Sequence, residues 1–167
     1  MRKLLYSLFI IFISAAAAAA ASPSNTGFTG LWEYPTAEVP GDGAGWIHYS
    51  RYSPYRTYAA DLGLFPWLEF NLRLTEYEND AAKVSDAFGY YKDKGLDLKL
   101  LLAEQEGFRP ALAAGVIDIM GTELRKGYFG AATWRYKNAA VTVGYGSDMY
   151  NGFYGGLSWS PLEWLEF

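Results

Sequence analysis

Pro66-Trp67-Leu68-Glu69-Phe70-Asn71-Leu72-Arg73-Leu74-Thr75-Glu76 is two-faced along almost its whole length. Leu68, Phe70, Leu72 and Leu74 occupy alternate positions, and Glu69, Asn71, Arg73 and Thr75 stand between them. A β-strand sends successive side chains to opposite sides of its sheet, so this spacing separates an apolar face from a charged one. A helix would mix the two sets on every side. A strand of this length that opens on a Trp fits the wall of an outer-membrane barrel, where lipid-facing and lumen-facing residues alternate.

The chain ahead of this strand begins with a different kind of segment. Arg2 and Lys3 are basic, residues 4–13 are apolar, and residues 15–21 are small, with Ser22 and Pro23 following. That order predicts a secretory signal peptide over 1–21, cleaved near Ala21. Residues 22–167 then form one β-barrel domain. Without Arg2 and Lys3, 12 of the 14 basic residues remain against 18 acidic ones, a formal charge of −6. No basic cluster is present, which argues against nucleic acid as a partner. Cysteine is absent, so disulfides and thiolate chemistry are excluded within these residues, and a lipoprotein is not expected.

Half of the residues are hydrophobic (51%), yet mean hydropathy is only −0.05. Apolar side chains are therefore dispersed among polar ones. With 14 Tyr, 6 Trp and 18 Gly, this suits transmembrane strands with aromatic girdles. A soluble carbohydrate-binding sandwich has a similar composition.

Turn residues divide the chain into short segments. Strands are predicted over 28–34, 44–52, 57–65 and 66–76. Pro40, Gly41 and Gly43 mark a loop before the second of these, and Pro54 marks a turn after it. Residues 79–94 are polar and make the longest connection, with room for a short helix over 80–88. Alternation resumes over 96–103, with Leu96, Leu98, Leu100 and Leu102 opposed to Asp97 and Lys99. Further strands follow at 109–119, 128–136, 139–146, 154–159 and 162–167, and Lys137-Asn138 forms a tight hairpin. The fold class is therefore all-β: an antiparallel up-and-down meander of about 8–10 strands, forming an outer-membrane β-barrel or a partial barrel.

Pro161-Leu162-Glu163-Trp164-Leu165-Glu166-Phe167 echoes Pro66-Trp67-Leu68-Glu69-Phe70, with two residues inserted. The echo predicts a repeated unit whose second copy is truncated at the C-terminus.

Four segments carry a resemblance to a known family. They are Gly27-Phe28-Thr29-Gly30-Leu31-Trp32-Glu33-Tyr34-Pro35-Thr36-Ala37, Phe65-Pro66-Trp67-Leu68-Glu69-Phe70, Tyr91-Lys92-Asp93-Lys94-Gly95-Leu96-Asp97-Leu98-Lys99-Leu100 and Pro110-Ala111-Leu112-Ala113-Ala114-Gly115-Val116-Ile117-Asp118-Ile119-Met120-Gly121-Thr122. In order and spacing the series resembles the N-terminal portion of the YjbH family, outer-membrane β-barrel proteins linked to exopolysaccharide export. The resemblance covers most of residues 27–136. It implies an envelope protein that serves polysaccharide production or secretion, and it implies no catalytic residues. Members are generally several times longer, and many are lipoproteins.

In a barrel, Glu69, Arg73, Asp97 and Lys99 face the lumen, because an Arg or Lys facing lipid near the midplane costs about 2–4 kcal/mol. There they either line a polar passage or form an ion-pair network that fills the barrel. Lys92 and Lys94 offer cations to an anionic glycan or a lipopolysaccharide phosphate, or lie in a solvated turn. Asp118 is a candidate ligand contact, or bonds a turn backbone. Trp32, Tyr34, Trp46 and Tyr52 are candidate sugar-stacking rings, or interfacial anchors. His48 is the sole histidine, and spacing assigns it no Ser or Asp partner. No metalloprotease, phosphate-loop or nucleophile-elbow motif occurs. The expectation is a non-enzymatic protein without cofactor or metal that supports exopolysaccharide biosynthesis or export. Its partners are outer-membrane lipid, exopolysaccharide and other export proteins, and its location is the outer membrane. The alternative is a soluble periplasmic or secreted glycan-binding sandwich.

Overall fold

The alternation seen at Leu68 recurs along most of the chain, and each recurrence is a strand. The computed structural model describes residues 22–79, 83–85 and 89–161. Among these the protein is all-β, with strands β1 (Gly45–Tyr52), β2 (Tyr55–Phe65), β3 (Leu68–Tyr77), β4 (Lys83–Ser85), β5 (Gly89–Tyr90), β6 (Lys92–Ala103), β7 (Ala111–Gly121), β8 (Gly127–Tyr136), β9 (Ala139–Asp148) and β10 (Gly152–Trp159). Eight of them form one antiparallel meander in the order β1-β2-β3-β6-β7-β8-β9-β10, and β4 and β5 pair separately. This is the meander of a partial barrel. A sandwich needs two sheets packed face to face, so the soluble alternative loses its architecture.

The sheet is strongly curled. A flat sheet would hold β1 and β10 about 34 Å apart, at about 4.8 Å per strand interval. Yet one short segment reaches both. The Trp46 indole of β1 donates to the Gly27 carbonyl, and the Leu31 side chain lies 2.7 Å from where a Cβ on Gly156 of β10 would stand. Four residues of backbone span at most about 14 Å. Likewise, the Arg125 guanidinium, from the turn after β7, sits 4.5 Å from the Tyr55 ring centroid in β2.

Small residues on the concave face permit the curl. Phe129 of β8 stands opposite Gly115 of β7 in the register, and its ring lies over that glycine. A Cβ at Gly115 would strike the Phe129 ring and approach the Leu98 carbonyl oxygen to 2.7 Å. Gly115→Ala is therefore expected to cost about 1–3 kcal/mol by overpacking, read as a lower urea midpoint. A midpoint equal to wild type would show that the ring has room to move.

Several sequence expectations change. Residues 28–34 form no strand; only isolated bridges, Pro23 with Thr29 and Gly30 with Pro35, hold this region. Its backbone bonds other backbone within the segment, as from the Asn25 N–H to the Trp32 carbonyl and from the Leu31 N–H to the Tyr34 carbonyl, and at Thr29 it bonds side chains of the sheet, as described below. Where a helix is predicted over 80–88, the described residues Lys83–Ser85 are strand β4. Lys92 to Gly95 lie within β6 rather than in a turn. Asp97 faces a bulge, because β7 places residues 117–119 between the pairs Leu98–Val116 and Leu96–Met120. The signal peptide over 1–21 and the C-terminal echo over 162–167 lie outside the described residues.

Candidate functional site

The concave face is the polar one. In β3, Glu69, Asn71, Arg73 and Thr75 all point inward and are buried. Register sets Glu69 opposite Lys99 and Asn71 opposite Asp97 on β6. The Lys99 ammonium lies 2.6 Å from Glu69, with both side chains wholly shielded from solvent. Asp97 accepts from Arg73 Nε (3.2 Å) and Nη2 (3.3 Å), from the Asn71 amide (2.8 Å) and from the Asp118 backbone N–H (2.8 Å). Buried charges survive only when paired and hydrogen-bonded, and this network meets that demand for Asp97.

What shields these groups is the segment over residues 22–38, which lies in the trough as a plug. Thr29 donates its N–H to Glu69 (2.5 Å), and its carbonyl accepts from Lys99 (2.8 Å). The Thr26 carbonyl accepts from Asn71 (3.0 Å), and the Asn25 carbonyl accepts from Ser50 (2.7 Å). Farther along, Ala37 donates to the Thr133 hydroxyl (2.9 Å), Pro35 accepts from Tyr154, and Glu38 pairs with Arg135. A backbone without strand partners must find others when buried; here bonds within the segment supply some and the inward side chains supply others. Phe28 anchors the plug in an apolar cluster with Ile117, Phe129 and Tyr150.

Beyond the plug, at the end of the trough where β2 begins, is a cavity of about 770 Å³, open to solvent on one side. Tyr52, Tyr55 and Tyr77 bound it from the β1–β3 wall, and Tyr34 and Tyr150 from the plug and the β9–β10 turn. Arg125 enters from the β7–β8 turn, its guanidinium over the Tyr55 ring. Burial, and then the charge of Arg73, lower its proton affinity from the usual arginine range. Burial raises the Tyr150 hydroxyl well above the ordinary tyrosine range. Among the described residues, no group of three His, Cys, Asp or Glu is placed to hold a metal ion.

The sequence candidates scatter across this arrangement. Glu69 with Lys99 and Arg73 with Asp97 lie beneath the plug as two ion pairs, and Glu69 and Lys99 also bond its backbone. Tyr34 and Tyr52 line the cavity, whereas Trp32 is 70% exposed and Trp46 bonds the plug. Tyr34 also stacks on Tyr154, with centroids 4.7 Å apart. Lys92 pairs with Glu76 at 3.6 Å, and Lys94 is exposed on the convex side. Asp118 is fully buried, and its carboxylate accepts from the Arg125 backbone N–H across the turn. Sequence reasoning missed Phe28, Asp61, Arg125 and Tyr150. Asp61 alternates with Ala59 and Gly63 on the inward face of β2, a legible signal. Arg125 and Tyr150 lie in turns and carry no periodic signal.

The convex face is the reverse of the concave one. At one end Phe65, Trp67, Trp134, Tyr136 and Trp159 are exposed, and at the other Tyr49, Tyr58, Tyr128, Tyr145 and Phe153. Between these rows the outward positions of all eight strands are Ile47, Leu62, Leu72, Leu100, Val141, Val143, Leu157 and similar residues, without a charge. Charged pairs begin just past the tyrosine row, where Arg51 and Arg56 meet Glu78, and Arg56 and Lys92 meet Glu76.

A curled antiparallel wall, apolar outside, polar inside and plugged by its own N-terminal segment, defines a barrel-type wall protein. Sequence comparison agrees with the class and gives the family. The family model YjbH, described as exopolysaccharide biosynthesis protein YbjH, matches residues 22–166. The chain belongs to the YjbH family. It is 37% identical over 128 residues to a protein of Escherichia coli (strain K12) named uncharacterized lipoprotein YjbH, covering 75% of this chain. The match covers 18% of that relative, so the chain spans about a fifth of its length. No solved structure matches significantly.

This relative overturns the expected location, an outer-membrane barrel that is not a lipoprotein, because by its name the relative is a lipoprotein. Lipid attachment depends on a single cysteine and not on the shared sheet. The absence of cysteine from these 167 residues therefore describes those residues and does not set the family apart from lipoproteins.

Proposed function

We propose that this chain is a non-enzymatic wall segment, set against lipid, that supports exopolysaccharide biosynthesis or export. One observation carries the reading: the charge-free convex band between two aromatic rows. Along β8, eight residue steps separate Tyr128 from Tyr136, about 26 Å at about 3.3 Å per residue before any tilt. Membrane barrels carry an outward apolar band about 25 Å tall between aromatic girdles. A soluble monomer rarely exposes an apolar patch beyond a few hundred Å², whereas here eight strands contribute to one. The family's link to exopolysaccharide biosynthesis supplies the process.

Val143 stands on β9 midway between the rows, opposite Ala132. Val143→Arg is expected to weaken folding into phosphatidylcholine vesicles by about 2–4 kcal/mol, the cost of Arg at the midplane. Ser147→Arg, at the tyrosine row opposite Tyr128, is expected to lose no more than about 1 kcal/mol, the cost of Arg near the interface. Vesicle flotation with tryptophan fluorescence measures both. Equal insertion by Val143→Arg and wild type would end the lipid-facing reading.

A further inference from the structure

We infer that the tyrosine-walled cavity is a binding site for a sparsely charged anionic saccharide, with Arg125 receiving a sugar carboxylate. The inference rests on the exopolysaccharide reading and names the ligand class within it.

The cavity's electrostatics are unbalanced at one point. The other inward-facing cations have carboxylate partners: Lys99 has Glu69, Arg73 has Asp97, and Arg135 has Glu38. Arg125 has none among the described residues. Its guanidinium contacts are the Tyr55 ring and the Met149 sulfur at 3.9 Å. The charge that acts on it most strongly is that of another cation, Arg73. A partly desolvated guanidinium without an anion is costly, and a planar carboxylate answers it with two parallel hydrogen bonds.

The walls fit sugar rings. Tyr52, Tyr55 and Tyr77 offer ring surface for the apolar C–H faces of a pyranose, with hydroxyls at their tips, and the buried Tyr150 backs the cavity. At about 770 Å³ the space lies within the usual range for a small-ligand site, and its open side lets a polymer enter and leave. Glu33 and Asp148 also line it, and Glu123 there is paired with Lys126. These acids accept from sugar hydroxyls and repel a carboxylate on every ring. The ligand they select carries widely spaced carboxylates with neutral residues between.

A hyaluronan hexasaccharide, in which uronate and neutral sugar alternate, is a suitable probe, and its carboxyl methyl ester is the neutral control. Titration of the full chain in detergent, followed by calorimetry, is expected to show the acid form binding at least about tenfold more tightly than the ester. Arg125→Gln should remove that difference by weakening acid binding, and Arg125→Lys should restore part of it. Inorganic phosphate should compete weakly. Equal binding of acid and ester by wild type would overturn the site without recourse to any variant. So would undiminished acid binding by Arg125→Gln, full competition by phosphate, or no binding of either oligosaccharide. Vesicle insertion of the same preparation is scored separately. Normal insertion without saccharide binding rejects this site alone, and failed insertion rejects the lipid-facing reading alone.

Discussion

Lys99→Met is expected to lower the unfolding free energy by about 3–5 kcal/mol, the cost of breaking a buried ion pair from one side. Lys99 and Glu69 are both fully buried and 2.6 Å apart. Met keeps most of the lysine stem and removes the charge. Glu69 is then a buried carboxylate left with the Thr29 N–H and the neighbouring Asp61 carboxyl but no cation, and the Thr29 carbonyl loses its ammonium donor. The double substitution Lys99→Met with Glu69→Gln removes both charges and keeps a hydrogen-bonding group beneath Thr29. It is expected to recover more than half of the loss. Urea unfolding of the four proteins of the cycle, in one detergent, measures the coupling directly. If single and double variants unfold at the same midpoint, the pair contributes by packing and not by charge.

Phe28→Ala is expected to cost a similar amount, about 3–5 kcal/mol, because the ring is wholly buried and the site around it cannot easily collapse. Phe129 meets the ring edge-on with centroids 6.1 Å apart, and the Lys99 ammonium lies 5.2 Å from its centroid. The consequence is also local. The plug is tied to the sheet by side chains, while the strands are tied to one another by continuous backbone ladders. Loss of the ring therefore frees the plug before the wall. Limited proteolysis should cut Phe28→Ala within residues 22–38 while the β-sheet circular dichroism is retained. Equal protease resistance in variant and wild type would show that the plug is held by its polar bonds alone.

The two predictions together separate what was legible in the residues from what was not. Alternation at Leu68 through Thr75, and again at Leu96 through Lys99, placed strands and faces correctly because strand periodicity is local. It needs no knowledge of neighbours. The Lys137-Asn138 hairpin was legible for the same reason, with Lys137 at a φ of 51° between β8 and β9. The four inward charges were legible as one face. The plug was not. Phe28 to Tyr34 has the aromatic look of a strand, yet its backbone bonds are made within residues 22–36 and, at Thr29, to side chains 40 and 70 positions away. No local pattern reports such a partnership.

The candidate sugar contacts divide the same way. Trp32, Tyr34, Trp46 and Tyr52 are close in sequence, but neighbouring residues on a strand or bend face different directions, so only Tyr34 and Tyr52 reach the cavity. Arg125 reaches it from a turn that sequence reading treated only as a connection. The bulge opposite Asp97 made both Ile117 and Asp118 inward and buried, against strict alternation. A bulge adds residues on one strand only, and its position depends on the partner strand.

Local alternation settled that this chain builds an antiparallel wall with an apolar side and a charged side. Covalent geometry alone sends neighbouring side chains to opposite faces. Tertiary structure decided that the charged side is a filled trough closed by residues 22–38, with an open tyrosine-lined end. Curling a sheet and seating a segment within it depend on contacts between residues far apart in the chain, which no short stretch of sequence contains.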